Sequence, residues 1–231
     1  MTTIGDNLQR LREHLWRACE QAGRPHDAVR LLAVSKTFGP DAVRDALAVG
    51  QRAFGENYVQ EGVDKIAAVG AVPGIEWHCI GPLQSNKTRP VAEHFDWVQS
   101  IDRLRIAQRL HEQRPAHLAP LQVCLQVNVD GGANKSGVTP SELPALAAAV
   151  AALPRLRLRG LMAIPEPTPD FESARAVFAQ VRALFDQLNA NGLDLDTLSM
   201  GMSDDLDAAV AAGSTMVRVG RGVFGARRYP V

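Results

Sequence analysis

Eight short apolar runs recur along the chain, and nearly every one leads into a segment with the spacing of an amphipathic helix. The runs predicted as strands are residues 31–36, 53–57, 76–81, 97–102, 121–129, 156–164, 197–203 and 215–219. Runs this short, bounded by Gly, Pro and polar residues, read as buried strands. Between them, helical spacing predicts helices over 41–49, 58–69, 103–113 and 204–212, with further helices beginning after 82–87, at Thr139-Pro140 and at Thr168-Pro169. Residues 4–22 form one more predicted helix ahead of the first strand. Strict alternation of strand and helix implies parallel strands, and eight of them imply a closed (β/α)8 barrel, the TIM-barrel architecture, with an extra N-terminal helix. An open doubly wound sheet is the alternative. No linker or shift in composition divides residues 1–231, so one domain is expected.

Composition removes several classes of function. Lys and Arg number 25, as do Asp and Glu, so no global charge points to nucleic acid or an anionic membrane. Cys19, Cys79 and Cys124 are scattered and form no CxxC pair, which fits a reducing cytoplasm and argues against a disulfide scaffold or a zinc site. The six His residues form no HxH or HExxH pattern. The first residues lack the basic and apolar regions of a signal peptide, and the apolar run 145–153 is about half a membrane span.

In such a barrel, chemistry sits at the C-terminal ends of the strands. The residues predicted there are Lys36, Asn57, His78, Asn128, Met162, Met200, Ser203 and Arg218. Lys36 follows a run with apolar residues on both faces. A desolvated lysine there would have a lowered pKa, and its neutral amine could attack a carbonyl. Snorkelling into solvent is the simpler alternative. Arg218 lies on the inward face of the last strand, with Met216 and Gly220, and needs an acceptor; a structural ion pair would satisfy it. Ser199 through Asp204 and the run Gly220-Arg221-Gly222 are turns whose backbone N–H groups suit a phosphate, although Ser203 serves equally as a helix cap. A reactive lysine and a phosphate cradle at one barrel end point to a phosphate-bearing aldehyde, for which pyridoxal phosphate (PLP) is the candidate. The loop 131–137 lacks the glycine before Lys135 that a P-loop requires. His78 is expected in a hydrogen-bonded pocket wall, and Glu56 with Glu166 makes no convincing catalytic pair.

Several longer motifs carry a family resemblance. They include Ala33-Val34-Ser35-Lys36-Thr37, Phe54-Gly55-Glu56-Asn57-Tyr58, and Trp77-His78-Cys79-Ile80-Gly81-Pro82-Leu83-Gln84-Ser85-Asn86-Lys87. Later come Lys135-Ser136-Gly137, Leu198-Ser199-Met200-Gly201-Met202-Ser203 and Val217-Arg218-Val219-Gly220. Across residues 31–227 the sequence resembles the YggS/PROSC group, the pyridoxal phosphate homeostasis proteins. The resemblance implies a fold-type III barrel like the N-terminal domain of alanine racemase. It implies that Lys36 forms a Schiff base with PLP, that Ser203 and the Gly220-Arg221 backbone hold the phosphate, and that Arg218 faces the pyridine nitrogen. Asn57 and Met200 are expected to line the ring. Two departures are visible: Cys79 stands where the group has phenylalanine, loosening that wall, and Arg221 where a small hydroxyl residue is common.

The same resemblance implies a carrier rather than an enzyme. An arginine cannot give up its proton, so it leaves the pyridine nitrogen unprotonated and the ring a poorer electron sink. Racemisation would need a second acid/base group, which alanine racemase takes from a tyrosine of another domain. The tyrosines of this chain are Tyr58 and Tyr229. The expected protein is a cytoplasmic, monomeric PLP store that supplies other enzymes, with weak racemisation as the alternative. Lys135 and the basic tail 227–231 are open candidates for a part in transfer.

Overall fold

The computed structural model describes residues 3–132 and 136–226. Eight parallel strands close into a barrel in chain order. They are β1 (Arg30–Val34), β2 (Ala53–Glu56), β3 (Glu76–Cys79), β4 (Trp97–Ile101), β5 (Leu121–Gln126), β6 (Leu156–Met162), β7 (Thr197–Ser199) and β8 (Met216–Val219). β8 pairs with β1 and brings Leu32 opposite Arg218. The helices are α1 (Ile4–Gln21), α2 (Pro40–Ala48), α3 (Val59–Val69), α4 (Thr88–His94), α5 (Leu104–Gln113), α6 (Leu143–Ala151), α7 (Phe171–Ala190), α8 (Leu206–Ala211) and α9 (Arg221–Phe224). The closed barrel expected from the alternation is the observed fold, and the open sheet is not.

Strand alternation sorts the core into two compartments. One set of side chains, among them Ala33, Phe54, Val98, Leu125, Leu161, Leu198 and Val217, packs outward against the helices in a single large cluster. The other fills the barrel in two separate apolar groups. Leu32, Val34, Ala53, Ile80 and Met216 form one, and Trp97, Cys124 and Met162 the other. Between them lie buried polar side chains, His78, Gln99, Ser199 and Arg218. At the strands' N-terminal end Arg159 stacks its guanidinium 4.9 Å from the Trp97 ring centroid.

Three helix starts differ from expectation. Thr139 spends its hydroxyl on the Glu142 carboxylate at 2.5 Å, and its carbonyl takes both the Glu142 and Leu143 N–H groups. A turn therefore precedes the helix, which begins at Leu143. α7 is capped by Asp170, which accepts the Ser173 N–H at 2.8 Å, in place of Thr168. α8 starts behind Asp205, not Ser203. α1 opens on a reciprocal Thr3/Asp6 cap and lies against α9, where Asn7 donates to the Val223 carbonyl at 2.9 Å. Among the described residues no helix is long and apolar enough to cross a membrane, and no cluster of metal-ligating side chains occurs.

Candidate functional site

At the C-terminal ends of β1, β2 and β8 lies a cavity of about 240 Å³. Lys36, Asn57, Ser203, Arg218, Gly220 and Arg221 all line it, with Val34, Ile80 and Ile164 as its apolar wall. Two cations, Lys36 and Arg218, and one carboxylate, Asp204, line it, so its field favours an anion.

Lys36 lies two residues beyond the end of β1 and is presented by its two neighbours. Ser35 is buried and donates its hydroxyl to Glu56 Oε1 at 2.5 Å. Thr37 takes φ 69°, and among the described residues it alone does so without being glycine. A β-branched residue in that region costs about 1–3 kcal/mol. Its N–H is held by Glu61 Oε1 at 2.6 Å. Lys65 ties these anchors together, donating to the Ser35 carbonyl at 2.8 Å, to Glu56 Oε1 at 2.6 Å and to Glu61 Oε1 at 3.0 Å. Burial raises the Glu56 pKa, and the Lys65 ammonium and the Ser35 hydroxyl pull it back down. The chain on both sides of Lys36 is thus fixed by a buried ion pair. Sequence reading had passed over this cluster; its only signal was the Glu61–Lys65 spacing of four on a helix.

Arg218 is 4% exposed. Its Nη1 donates to the Ser199 carbonyl at 2.6 Å and to Ser199 Oγ at 2.8 Å, and its Nη2 to the Ala163 carbonyl at 2.8 Å. Carbonyls and a hydroxyl therefore hold it, where an ion pair was the simplest expectation. Burial draws its pKa down to about 10, partly offset by the Asp205 charge, and it remains a cation at neutral pH.

Opposite, two loops converge. A Cβ built on Gly222 would come within 2.8 Å of Val219 and 3.9 Å of Ser203 Oγ, and one built on Gly220 within 3.3 Å of the Val34 carbonyl. Glycine at 222 spares a clash with the Val219 side chain, and glycine at 220 lets the start of α9 lie close against β1. The first N–H groups of a helix have no intrahelical acceptor, and Gly220 and Arg221, where α9 begins, line the cavity. Ser203 is exposed and does not cap α8, whose N-cap is Asp205. The Arg221 side chain points to solvent, 3.7 Å from an equally exposed Asp204, so its backbone is what the cavity can use. At the cavity edge Asn57 Oδ1 is buried with no hydrogen-bond partner among the described residues.

Other expected residues lie elsewhere. Met200 is fully buried in the outer cluster, because the chain leaves β7 at Ser199 with the opposite facing; Met202 lines the cavity in its stead. Met162 and His78 sit within the barrel below the cavity. His78 is hydrogen-bonded, as anticipated, but to Gln99 and not in the pocket wall. Asn128 closes its own loop through Gly131 and Gly132. Cys79 faces the helices, so its substitution for a larger residue does not touch the cavity wall. Burial pushes the thiols of Cys79 and Cys124 up to about 12. Lys135, Tyr229 and the tail 227–231 fall outside the described residues.

This closed eight-stranded barrel belongs to the class described by the family "Alanine racemase, N-terminal domain", whose model matches residues 7–228. Solved structures agree. Alanine racemase from Corynebacterium glutamicum superimposes with TM-score 0.67 at 19% identity, covering 92% of this chain and 59% of that one, which speaks to the fold alone. PipY of Synechococcus elongatus PCC7942, solved with PLP bound, gives TM-score 0.84 at 39% identity over 96% of this chain and 100% of its own. Within that class the chain belongs to the family of pyridoxal phosphate homeostasis proteins. The protein of that name from Pseudomonas aeruginosa is 59% identical over 99% of this chain and 98% of its own length. The one from Escherichia coli K12 is 55% identical over 99% of both.

Proposed function

We propose that this protein binds PLP reversibly at Lys36 and acts in its homeostasis, holding the cofactor and releasing it to enzymes that need it. One observation carries the proposal. Lys36, Arg218 and the Ser203/Gly220/Arg221 cradle line a single cavity of about 240 Å³. The fit is chemical as well as spatial: cations and backbone donors for a dianionic phosphate, an amine for a carbonyl, and a buried Asn57 oxygen in want of a donor. PLP, when bound, supplies an aldehyde carbon and a phosphate. Lys36 is the residue that would hold the aldehyde carbon, through a C–N bond that would form with loss of water and be reversed by hydrolysis. Ser203 and the N–H groups that open α9 hold the phosphate, and Arg218 is the group to meet the ring nitrogen.

The same residues favour storage over catalysis. Arg218 is a donor only, so it cannot protonate a ring nitrogen and strengthen the electron sink. No tyrosine lines the cavity among the described residues; Tyr58 is 59% exposed at the head of α3. Racemisation is the competing reading. In deuterium oxide it would exchange the Cα proton of an added amino acid, and no exchange above the protein-free rate is expected.

The test is the absorbance of the purified protein with PLP, before and after borohydride, with mass mapping of the reduced adduct. A pyridoxyl group on the peptide containing Lys36 is expected. A colourless protein that PLP cannot reconstitute would overturn the proposal.

A further inference from the structure

Below the cavity a row of polar side chains crosses the barrel interior. Arg218 Nη1 donates to Ser199 Oγ at 2.8 Å, and Ser199 Oγ donates to Gln99 Oε1 at 2.6 Å. Gln99 Nε2 lies 3.0 Å from His78 Nδ1. His78 Nε2 lies 3.7 Å from Glu76 Oε2, and Glu76 pairs with Arg30 at the far end of the barrel. Ser199, Gln99 and His78 are each fully buried.

The direction of every bond in this row follows from its first member. A guanidinium has no acceptor, so the Ser199 oxygen receives from Arg218, and its own proton is directed at the Gln99 side chain 2.6 Å away. The Gln99 atom that receives it must therefore be the carbonyl oxygen. The amide nitrogen then faces His78, and its second proton meets the Met216 sulfur at 3.2 Å, a weak acceptor. Turning the amide over would set its oxygen against that sulfur and leave the Ser199 proton stranded in a dry interior. With an N–H aimed at it, His78 Nδ1 must be bare, and the imidazole proton sits on Nε2, a buried atom with no hydrogen-bond partner among the described residues and Glu76 Oε2 3.7 Å away. Burial lowers the His78 pKa, against the pull of Glu76, in keeping with a neutral ring. The ring is also clamped against Trp97, with centroids 5.0 Å apart and planes 15° from parallel.

We infer that Ser199 and Gln99 are positioning residues for Arg218, and that the row they form fixes both the guanidinium beneath the cavity and His78 as the Nε2-protonated neutral tautomer. The positioning half rests on the proposed function, because it matters only if Arg218 meets the bound cofactor. The tautomer half does not.

The experiment has two arms. In the first, ¹⁵N-labelled wild-type protein without ligand is examined by long-range ¹H–¹⁵N correlation, the His78 signals being assigned by their loss in His78→Gln. A bare Nδ1 and a protonated Nε2 are expected; a proton on Nδ1 would overturn the row's direction. In Gln99→Glu the carboxylate accepts at both ends, and His78 Nδ1 is expected to gain a proton. In the second arm, Ser199→Ala and Gln99→Met are loaded with PLP. Borohydride should still trap the cofactor on Lys36. Its release should quicken about three- to tenfold, the effect of losing one hydrogen bond, and the circular dichroism of the bound ring should fall as its tilt relaxes. Wild-type release with unchanged dichroism in both variants would overturn the positioning role. If a variant does not fold, the wild-type tautomer still decides. If wild-type protein takes up no PLP, the proposed function fails while the tautomer result stands.

Discussion

Lys36 owes its presentation to residues that never touch the cavity. Lys65 is 4% exposed and Glu56 1%, so neither charge is shared with solvent. Removing one partner of a buried pair leaves the other uncompensated, at a cost of about 3–5 kcal/mol. Lys65→Met should therefore destabilise the fold by roughly that much, and adding Glu56→Gln should recover part of it; urea unfolding of the three proteins checks both. Lys36→Ala should lose the covalent adduct while keeping some affinity through the phosphate, and full visible absorbance in that variant would remove the lysine assignment. Arg218→Ala should release PLP faster than wild type, read by transfer to an excess of a recipient apo-enzyme. At this scale the sequence was legible where topology alone does the work. Once eight strands close in order, Lys36, Asn57, Arg218 and Gly220 must share one end. It was illegible where a contact joins distant elements, as for Glu56 and Lys65; Met200, which the resemblance set at the ring, keeps the outward facing of Leu198 two residues before it.

Elements meet the site through backbone as much as through side chains. After β3 the chain runs so close to Asn57 that a Cβ on Gly81 would lie 2.2 Å from the Asn57 carbonyl oxygen. Backbone cannot yield as a side-chain tip does. Gly81→Ala should cost about 1–3 kcal/mol and shift Asn57, weakening PLP binding even at temperatures where the protein stays folded; a titration beside a thermal melt separates the two effects. Existence and order of the elements were readable from periodicity, while their ends were not. Strand runs read from apolar composition overshoot, because a strand ends where its neighbour's pairing ends. The run 121–129 shows this: β5 stops at Gln126, and Val127, still donating to the Met162 carbonyl, bridges Val138 in the next loop. Helix starts slipped for a related reason, since a carboxylate such as Asp170 outcompetes a nearby hydroxyl for the first N–H groups.

Across the whole molecule, charge is spent at both ends of the barrel. At the end away from the cavity, His78 and the Arg30 guanidinium hold the Glu76 carboxyl at about 2, against the opposing effect of burial. A carboxyl depressed from 4.5 stabilises the fold above that value, and the contribution is lost as pH falls toward 2. Glu76→Gln should thus flatten the acid limb of stability between those values, measured as the urea midpoint against pH, and leave the neutral range less stable than wild type. Barrel closure carries a different consequence. Lys36 follows the first strand, and the Gly220–Arg221 turn follows the eighth, which pairs with the first. During synthesis the ribosome makes Lys36 long before that turn. On the function proposed above, a growing chain would meet PLP at Lys36 but would not hold it well until the ring had shut. Retention of the ligand would then report that first and last strands have found each other.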